Sequence, residues 1–334
     1  MASTKIHNAE AALGNGFDNT AGEWQQDMLG EGFEMKHVDM PADYTGRKQQ
    51  CTIVRKLVPG ATKAVLYVHG FSDYFLQHEM ANMFVDNGYS FYAVDLRKYG
   101  RSLTATDRMF QVRDIHEYFD DINAAVGQMK ADGITEAALL GHSTGGLTSA
   151  LYMSEKPDAI FKLLMLNSPF LAWNMPAFLR YVAVPVIRGI GKIFPAMPVY
   201  QAPDNGYART LSADLEGEWK YRRDWKPDVL PNPDAAWVGA IDRAQRQLRR
   251  RHIDVPVLLM HSAESAYKRD GIEKYFHADA ILDVKSIAYY GKHLGTDVTE
   301  VTFKDGLHDL ALSAKPIRKK VYATMLDWLK EHGM

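Results

Sequence analysis

The stretch Leu139-Leu140-Gly141-His142-Ser143-Thr144-Gly145-Gly146 decides how this chain is read. It has the form G-x-S-x-G, with the apolar run Ala137–Leu140 before it and helix formers from Leu147 to Met153 after it. Strand, sharp turn and helix form the context in which such a serine is lifted clear of a sheet. Gly141 and Gly145 suit positions where a side chain would collide with a neighbouring strand or helix. The pattern alone is common, so the rest of the chain decides what Ser143 does.

Working outward, Lys63–Val68 is a short apolar strand ending in His69-Gly70, and Glu79–Asn87 reads as a helix stopped by Gly88. Tyr89–Val94 is another apolar strand, and Ile115–Ala131 carries a helical stripe of Ile115, Phe119, Ile122, Val126 and Met129. A further strand covers Lys162–Leu166. Apolar strands alternating with helices indicate an α/β fold with a mostly parallel sheet covered on both faces. Phe33–Met40 and Gln50–Leu57 alternate as an edge hairpin turning near Asp43–Gly46. After Asn167-Ser168-Pro169 the rhythm stops. Residues 169–251 carry many prolines, four tryptophans and helical pieces. Alternation then resumes with a strand at Val255–Met260, a helix at Val284–His293, a strand at Asp297–Phe303 and a helix at Pro316–His332. The expected organisation is a loose arm at 1–32, one core built from 33–168 and 252–334, and a helical cap or lid at 169–251. No internal repeat is visible.

With 334 residues, 46% of them apolar, the chain can bury a substantial core. A formal net charge of −2 gives no reason to expect a nucleic-acid partner. The single Cys51 excludes an internal disulfide and a cysteine-based zinc site. The polar start, Met1–Asn19, lacks the apolar core of a signal peptide, and no later run is long enough to span a bilayer. A soluble, cytoplasmic protein is the expectation.

Serine needs a base to become a nucleophile, and the base needs an orienting acid. In sheets of this kind the order along the chain is serine, acid, histidine. His308, in Lys304-Asp305-Gly306-Leu307-His308-Asp309 after a strand, is preferred as base over His261, His277 and His293. The acid should follow the strand Val255–Met260, where Glu264, Asp270, Asp279 and Asp283 are available. Asp279 is favoured, and Asp283 suits a helix N-cap. An oxyanion requires backbone N–H donors, each worth about 3–4 kcal/mol of barrier. These are expected from Thr144 and from Phe71 in His69-Gly70-Phe71. His69 precedes Ser143, the wrong order for a base, and is read as a buried structural residue. No H-E-x-x-H or similar ligand spacing occurs, so no metal is expected, and the chemistry needs no cofactor.

Val68-His69-Gly70-Phe71, Asp95-Leu96-Arg97-Lys98-Tyr99-Gly100-Arg101-Ser102, Gly141-His142-Ser143-Thr144-Gly145-Gly146 and Gly306-Leu307-His308-Asp309 occur in that order. As a set they resemble the alpha/beta-hydrolases of the monoacylglycerol lipase and lysophospholipase branch, across roughly residues 60–330. The resemblance implies Ser143 as nucleophile, His308 as base and an aspartate in an Ala-Asp-x-x-x-Asp setting as acid. Ala278-Asp279 with Asp283 provides that setting. One departure stands out: residues 263–278 intervene between the strand and Asp279.

In the cap, Pro176–Pro195 is rich in apolar residues, including Phe178, Val182 and Val186, and is interrupted by Arg180, Arg188 and Lys192. It reads as a cap helix packed on the core, or as an acyl-binding wall that touches a lipid interface. Phe178, Val182, Val186 and Trp173 are the expected substrate contacts. Asp234–Arg251 is a second helix with Trp237, Ile241, Ala244 and Leu248 on one stripe and five arginines at its far end. The sequence thus points to a serine esterase cleaving a small-molecule carboxylic ester of a lipid-like acyl compound through an acyl-enzyme on Ser143, with an aminopeptidase, a thioesterase, an acyltransferase or a non-catalytic binding protein as alternatives. An aminopeptidase would need cap carboxylates for the substrate ammonium, for which Asp214, Glu216 and Glu218 are available.

Overall fold

Strand patterning carries directly into the sheet. The computed structural model describes residues 22–155 and 157–334. In chain order the elements are β1 (Gln25–Gln26), β2 (Glu34–Met40), β3 (Gln49–Lys56), β4 (Lys63–Val68), α1 (His78–Asp86), β5 (Ser90–Asp95), α2 (Glu117–Ala131), β6 (Glu136–His142), α3 (Thr144–Glu155) and β7 (Phe161–Asn167). After them come α4 (Ala177–Gly191), α5 (Gly206–Leu211), α6 (Ala235–Leu248), β8 (Val257–Ser262), α7 (Ile272–Tyr275), α8 (Val284–Gly291), β9 (Val298–Phe303) and α9 (Lys315–Glu331). The nine-stranded sheet has the order β1-β2-β3-β5-β4-β6-β7-β8-β9. β1, β2 and β3 run antiparallel, with β2 and β3 forming the edge hairpin, and every pairing from β5 to β9 is parallel.

Because side chains alternate along a strand, each central strand feeds two cores. In β4, Leu66 and Val68 pack with α2, α3 and α6, while Val65 and Tyr67 pack with α1 and α9. The first layer includes Ile122, Val126, Leu147 and Ile241, and the second Met80, Phe84, Met325 and Trp328. Each such side chain contributes about 1.5–3 kcal/mol on burial. The doubly covered sheet is therefore the main source of stability. Between β7 and β8 the chain adds no strand to this sheet. α4 and α6 pack on each other there, and Trp237 and Ile241 of α6 join the first core layer.

Residues 22–32 depart from the loose arm that their composition suggests. Gln25–Gln26 pair with Glu34 and Met35, and Asp27 is buried against Arg101. Arg101 also donates to Asp95 at 2.9 Å and to the Phe75 carbonyl at 2.9 Å. One guanidinium thus ties the N-terminal strand to the C-terminal end of β5. Residues 1–21 of the arm lie outside the described residues. No described helix is long and apolar enough to cross a membrane.

The tightest joint lies where β6 turns into α3. A Cβ on Gly145 would fall inside the contact radius of the Val68 and His69 carbonyl oxygens. One on Gly141 would overlap Gly146 Cα at 2.7 Å. Backbone cannot yield as a flexible side chain can. Gly145→Ala is therefore expected to cost more than about 4 kcal/mol, beyond the ordinary range for a point substitution. Urea unfolding of the variant measures this loss.

Candidate active site

The elbow leaves Ser143 with φ 54°, a left-handed conformation that a non-glycine residue adopts only under surrounding constraint. That constraint is visible: Ser143 N–H donates to the Asn167 carbonyl at 3.1 Å, and its own carbonyl accepts from Phe170 N–H at 2.9 Å. The hydroxyl points at His308, with Oγ 3.0 Å from Nε2. His308 Nδ1 lies 2.9 Å from Asp279 Oδ2. A carboxylate only accepts, so Nδ1 carries the proton and Nε2 is left as the acceptor for the serine hydroxyl. Asp279 is fully buried, and its other oxygen accepts the N–H groups of Ile281 and Leu282, both at 2.8 Å.

The intervening residues 263–278 do not displace Asp279 from His308. The chain leaves β8, loops out through α7 and returns so that Asp279 N–H bonds the Glu264 carbonyl at 2.9 Å. Ala266 N–H bonds the Asp279 carbonyl at 2.7 Å. The insertion is thus closed at its base by a short parallel bridge between Ser265 and Asp279. The other three carboxylates are engaged elsewhere. Glu264 pairs with Lys274, Asp270 accepts from Tyr267 N–H, and Asp283 caps α8 through Ser286.

The other histidines have structural partners. His69 Nε2 accepts Leu96 N–H at 3.0 Å, so its Nδ1 donates to the Gly70 carbonyl at 2.8 Å. His261 lies within β8 against Glu300, His277 lies against Asp305, and His293 bonds the Tyr289 carbonyl. Phe71 follows the His69-Gly70 turn. A Cβ on Gly70 would stand 3.0 Å from that of Ser143, so the Phe71 backbone starts beside Ser143. Thr144 opens α3, and its N–H has no acceptor within the helix.

A cavity of about 540 Å³ opens above Ser143 and His308. Phe71, Phe170, Trp173 and Trp237 form an aromatic wall, with Phe71 and Trp237 centroids 4.5 Å apart. Trp173 thus lines the cavity, whereas Phe178, Val182 and Val186 do not. Those three, four residues apart on α4, face outward and are 72%, 47% and 56% exposed. The inner face of the helix carries Val184 instead. Apolar content alone could not tell the two faces apart, because both are apolar.

Sequence reasoning missed a buried polar layer under the cavity. Asp309 accepts from Gln77 Nε2 at 2.7 Å, Asn167 Nδ2 at 2.8 Å and Ala311 N–H at 3.0 Å, which secures the loop carrying His308. Asp73 accepts from Lys226 Nζ at 2.7 Å. Asp73, His142 and Asp309 gather closely enough to suggest a cation site. They do not fit one, since Asp309 is occupied by N–H donors and Lys226 already neutralises Asp73. A signal for the layer existed in adjacency only: His142 and Asp309 each neighbour a singled-out residue.

The family model described as serine aminopeptidase, S33, matches residues 59–294. The chain belongs to this family of alpha/beta-hydrolases. A curated relative, an epoxide hydrolase of Caballeronia sordidicola, is 30% identical over 255 residues, covering 72% of this chain and 70% of the relative. Among solved structures, a soluble variant of monoglyceride lipase from Saccharomyces cerevisiae superposes with TM-score 0.63 at 17% identity, over 89% of this chain and 96% of that one. An esterase from Exiguobacterium antarcticum gives 0.55 at 17%, over 87% and 98%. At such identity these two structures bear on the fold, which is that of an alpha/beta-hydrolase.

Buried imidazoles give the family member an acid-sensitive fold. Burial lowers His37, His69 and His142 below the ordinary 6.5, against nearby aspartates that pull the other way. Below pH 6.5 the unfolded chain takes up these protons while the folded chain does not, so stability falls as pH drops. The limit is about 1.4 kcal/mol per pH unit for each of the buried His69 and His142, and solvent screening makes it smaller for the half-buried His37. Partial burial lowers His116 too, but its bonds to Asp114 and Glu155 outweigh that and raise it. His116 therefore has the opposite sign, and its solvent-screened pairs count for less. The urea midpoint is expected to drop between pH 7 and pH 5.5; a flat profile would contradict the neutral burial of these rings.

Proposed function

We propose that the chain is a serine hydrolase cleaving carboxylic esters of lipid-like acyl compounds through an acyl-enzyme on Ser143. The observation that carries this reading is the continuous relay of Ser143, His308 and Asp279, at 3.0 and 2.9 Å. His308 Nε2 takes the hydroxyl proton as Ser143 Oγ attacks the ester carbonyl. Phe71 and Thr144 N–H groups receive the oxyanion, and Asp279 balances the imidazolium. The tetrahedral intermediate collapses, and the leaving alkoxide takes the proton from His308. Water repeats the sequence on the acyl-enzyme, releasing the carboxylic acid and restoring Ser143. The aromatic wall that includes Trp173 accommodates the acyl group, and residues 169–251 serve as the cap that excludes water.

An aminopeptidase would need an unpaired carboxylate for the substrate ammonium. Those lining the cavity are matched: Asp73 with Lys226, Asp204 with Lys268 and Asp228 with Arg223. Asp214, Glu216 and Glu218 lie outside the lining, beside Arg223, Arg209 and Arg318. Epoxide opening by Ser143 would leave a serine ether, which lacks the carbonyl through which water releases an acyl group.

Ser143→Ala is expected to abolish ester turnover and fluorophosphonate labelling; undiminished labelling would remove Ser143 from the mechanism. Asp279→Asn should lower kcat by about 10⁴-fold through the wrong imidazole tautomer, while Glu264→Gln leaves it essentially unchanged. Equal, small losses in the two variants would mean that Asp279 is not the acid.

The outer face of the cap supports contact with an anionic lipid surface. Tyr181, Ile193 and Phe194 are exposed there with Arg180 and Lys192 interspersed, while Arg188 turns inward to Asp242 of α6, and no carboxylate occurs from residue 159 to residue 203. Sedimentation with phosphatidylglycerol vesicles is expected, and serine at 181, 193 and 194 should release the protein while sparing hydrolysis of a short soluble ester. Equal sedimentation of both forms would argue against this surface.

A further inference from the structure

The loop that carries Phe71 is not secured from the sheet alone. Its next residue, Ser72, has φ 51°, and its hydroxyl is buried without a partner. A left-handed serine that makes no side-chain bond depends on its neighbours for its conformation. Those neighbours are Asp73 and Tyr74, and both are gripped by residues 222–226, which lie between β7 and β8 outside the sheet. Arg222 N–H donates to Tyr74 Oη at 2.8 Å. The Trp225 ring meets the Tyr74 ring edge to face, with centroids 5.2 Å apart. Lys226 Nζ donates to Asp73 Oδ1 at 2.7 Å, and both residues are buried.

The third contact is the demanding one. Burial raises the Asp73 carboxyl, but the Lys226 charge and hydrogen bond outweigh it and keep the group ionised. Asp73 Oδ2 has no hydrogen-bond partner among the described residues, so Lys226 is the one cation bonded to this carboxylate. Removing one partner of such a buried pair leaves an uncompensated charge, and the loop that bears it is driven to rearrange. That loop is two residues long from Asp73 to Phe71.

We infer that Lys226 is a positioning residue: through Asp73 it fixes the Phe71 N–H as an oxyanion donor, coupling the cap segment to the catalytic step. The inference rests on the reading of Ser143 as nucleophile and Phe71 as donor. It goes further by making the machinery incomplete without a residue from outside the sheet. Lys226 also borders the cavity, so a direct contact with substrate is the rival role, and the two roles separate kinetically. A donor lost from the transition state lowers kcat, whereas a lost ground-state contact raises KM.

The test uses the full chain with Lys226→Met, Lys226→Arg and the double variant Asp73→Asn with Lys226→Met. Each is assayed on a soluble ester, by thermal unfolding, and by affinity for an alkylboronic acid, which places an oxygen in the oxyanion site when it adds to Ser143. Lys226→Met is expected to lower kcat and boronate affinity together by about 10²-fold, the scale of a lost oxyanion donor, with KM little changed. Lys226→Arg should recover most of both. Should Lys226→Met fail to fold, the double variant, which carries no unpaired charge, should regain thermal stability while kcat stays low. Full kcat in the double variant, or a rise in KM with kcat and boronate affinity intact, would overturn the inference. Absence of Ser143-dependent labelling in the unaltered protein would instead overturn the reading of Ser143 itself, an outcome distinct from an active enzyme indifferent to Lys226.

Discussion

The backbone contact between Gly145 and the end of β4 is the constraint on which the rest depends. Two peptide chains meet there with no room for a methyl group, since Val68 and His69 carbonyl oxygens already fill the Cβ position. The contact does more than pack a helix. It brings the start of α3 beside the turn His69-Gly70-Phe71. Gly70 makes the approach mutual, because its own missing side chain leaves the Ser143 Cβ in place. Positive φ at Ser143 is the cost of this arrangement, and the bonds from Asn167 and Phe170 hold it. The strain at Ser143 and the fit of the sheet are one feature.

Outside that joint, order is imposed by buried polar groups that each serve two elements. Arg101 bridges Asp27 and Asp95, joining the edge strand to the centre of the sheet. Asp309 binds Gln77 and Asn167, joining the His308 loop to α1 and β7. Such groups contribute little net stability beside an apolar equivalent, yet a missing partner is expensive. They therefore specify one arrangement among many of similar apolar burial. The cavity walls can be largely aromatic while Ser143, His308 and Asp279 stay within hydrogen-bond distance of one another.

The sheet was legible because its strands are continuous apolar runs bounded by glycine and polar turns, and the two-layer core follows from their length and spacing. Chain order and loop position singled out Ser143 and His308, the Ala278-Asp279 setting singled out Asp279 among four carboxylates, and the fold brings these three side chains within hydrogen-bond distance. The polar layer could not. Asp73, Lys226, Gln77 and Asn167 stand in no pattern with one another, being brought together by crossings far apart in the chain. Residues 22–32 misled for a related reason: polar and glycine-rich, they look loose, yet Asp27 is ordered by Arg101 from a distant turn. On α4, periodicity failed because apolar residues occur on every face, so the outward Phe178, Val182 and Val186 could not be separated from the inward Val184.

The region least legible in sequence is also the one that bears most on substrate choice. Between β7 and β8 the chain owes nothing to sheet geometry, so its residues answer to the cavity and to the loops beneath it. Three carboxylates border that cavity, and each is neutralised by a lysine or arginine: two of those cations come from residues 222–226 and the third, Lys268, from the insertion after β8. A wall of matched charges presents neither a net anion to an ammonium group nor a free cation to a carboxylate. The Phe71, Phe170, Trp173 and Trp237 rings complete a surface that favours neutral, apolar groups by burial alone. Charge pairing around the cavity thus does by cancellation what apolar residues do by composition, and the carboxylates remain available to hold loops in place.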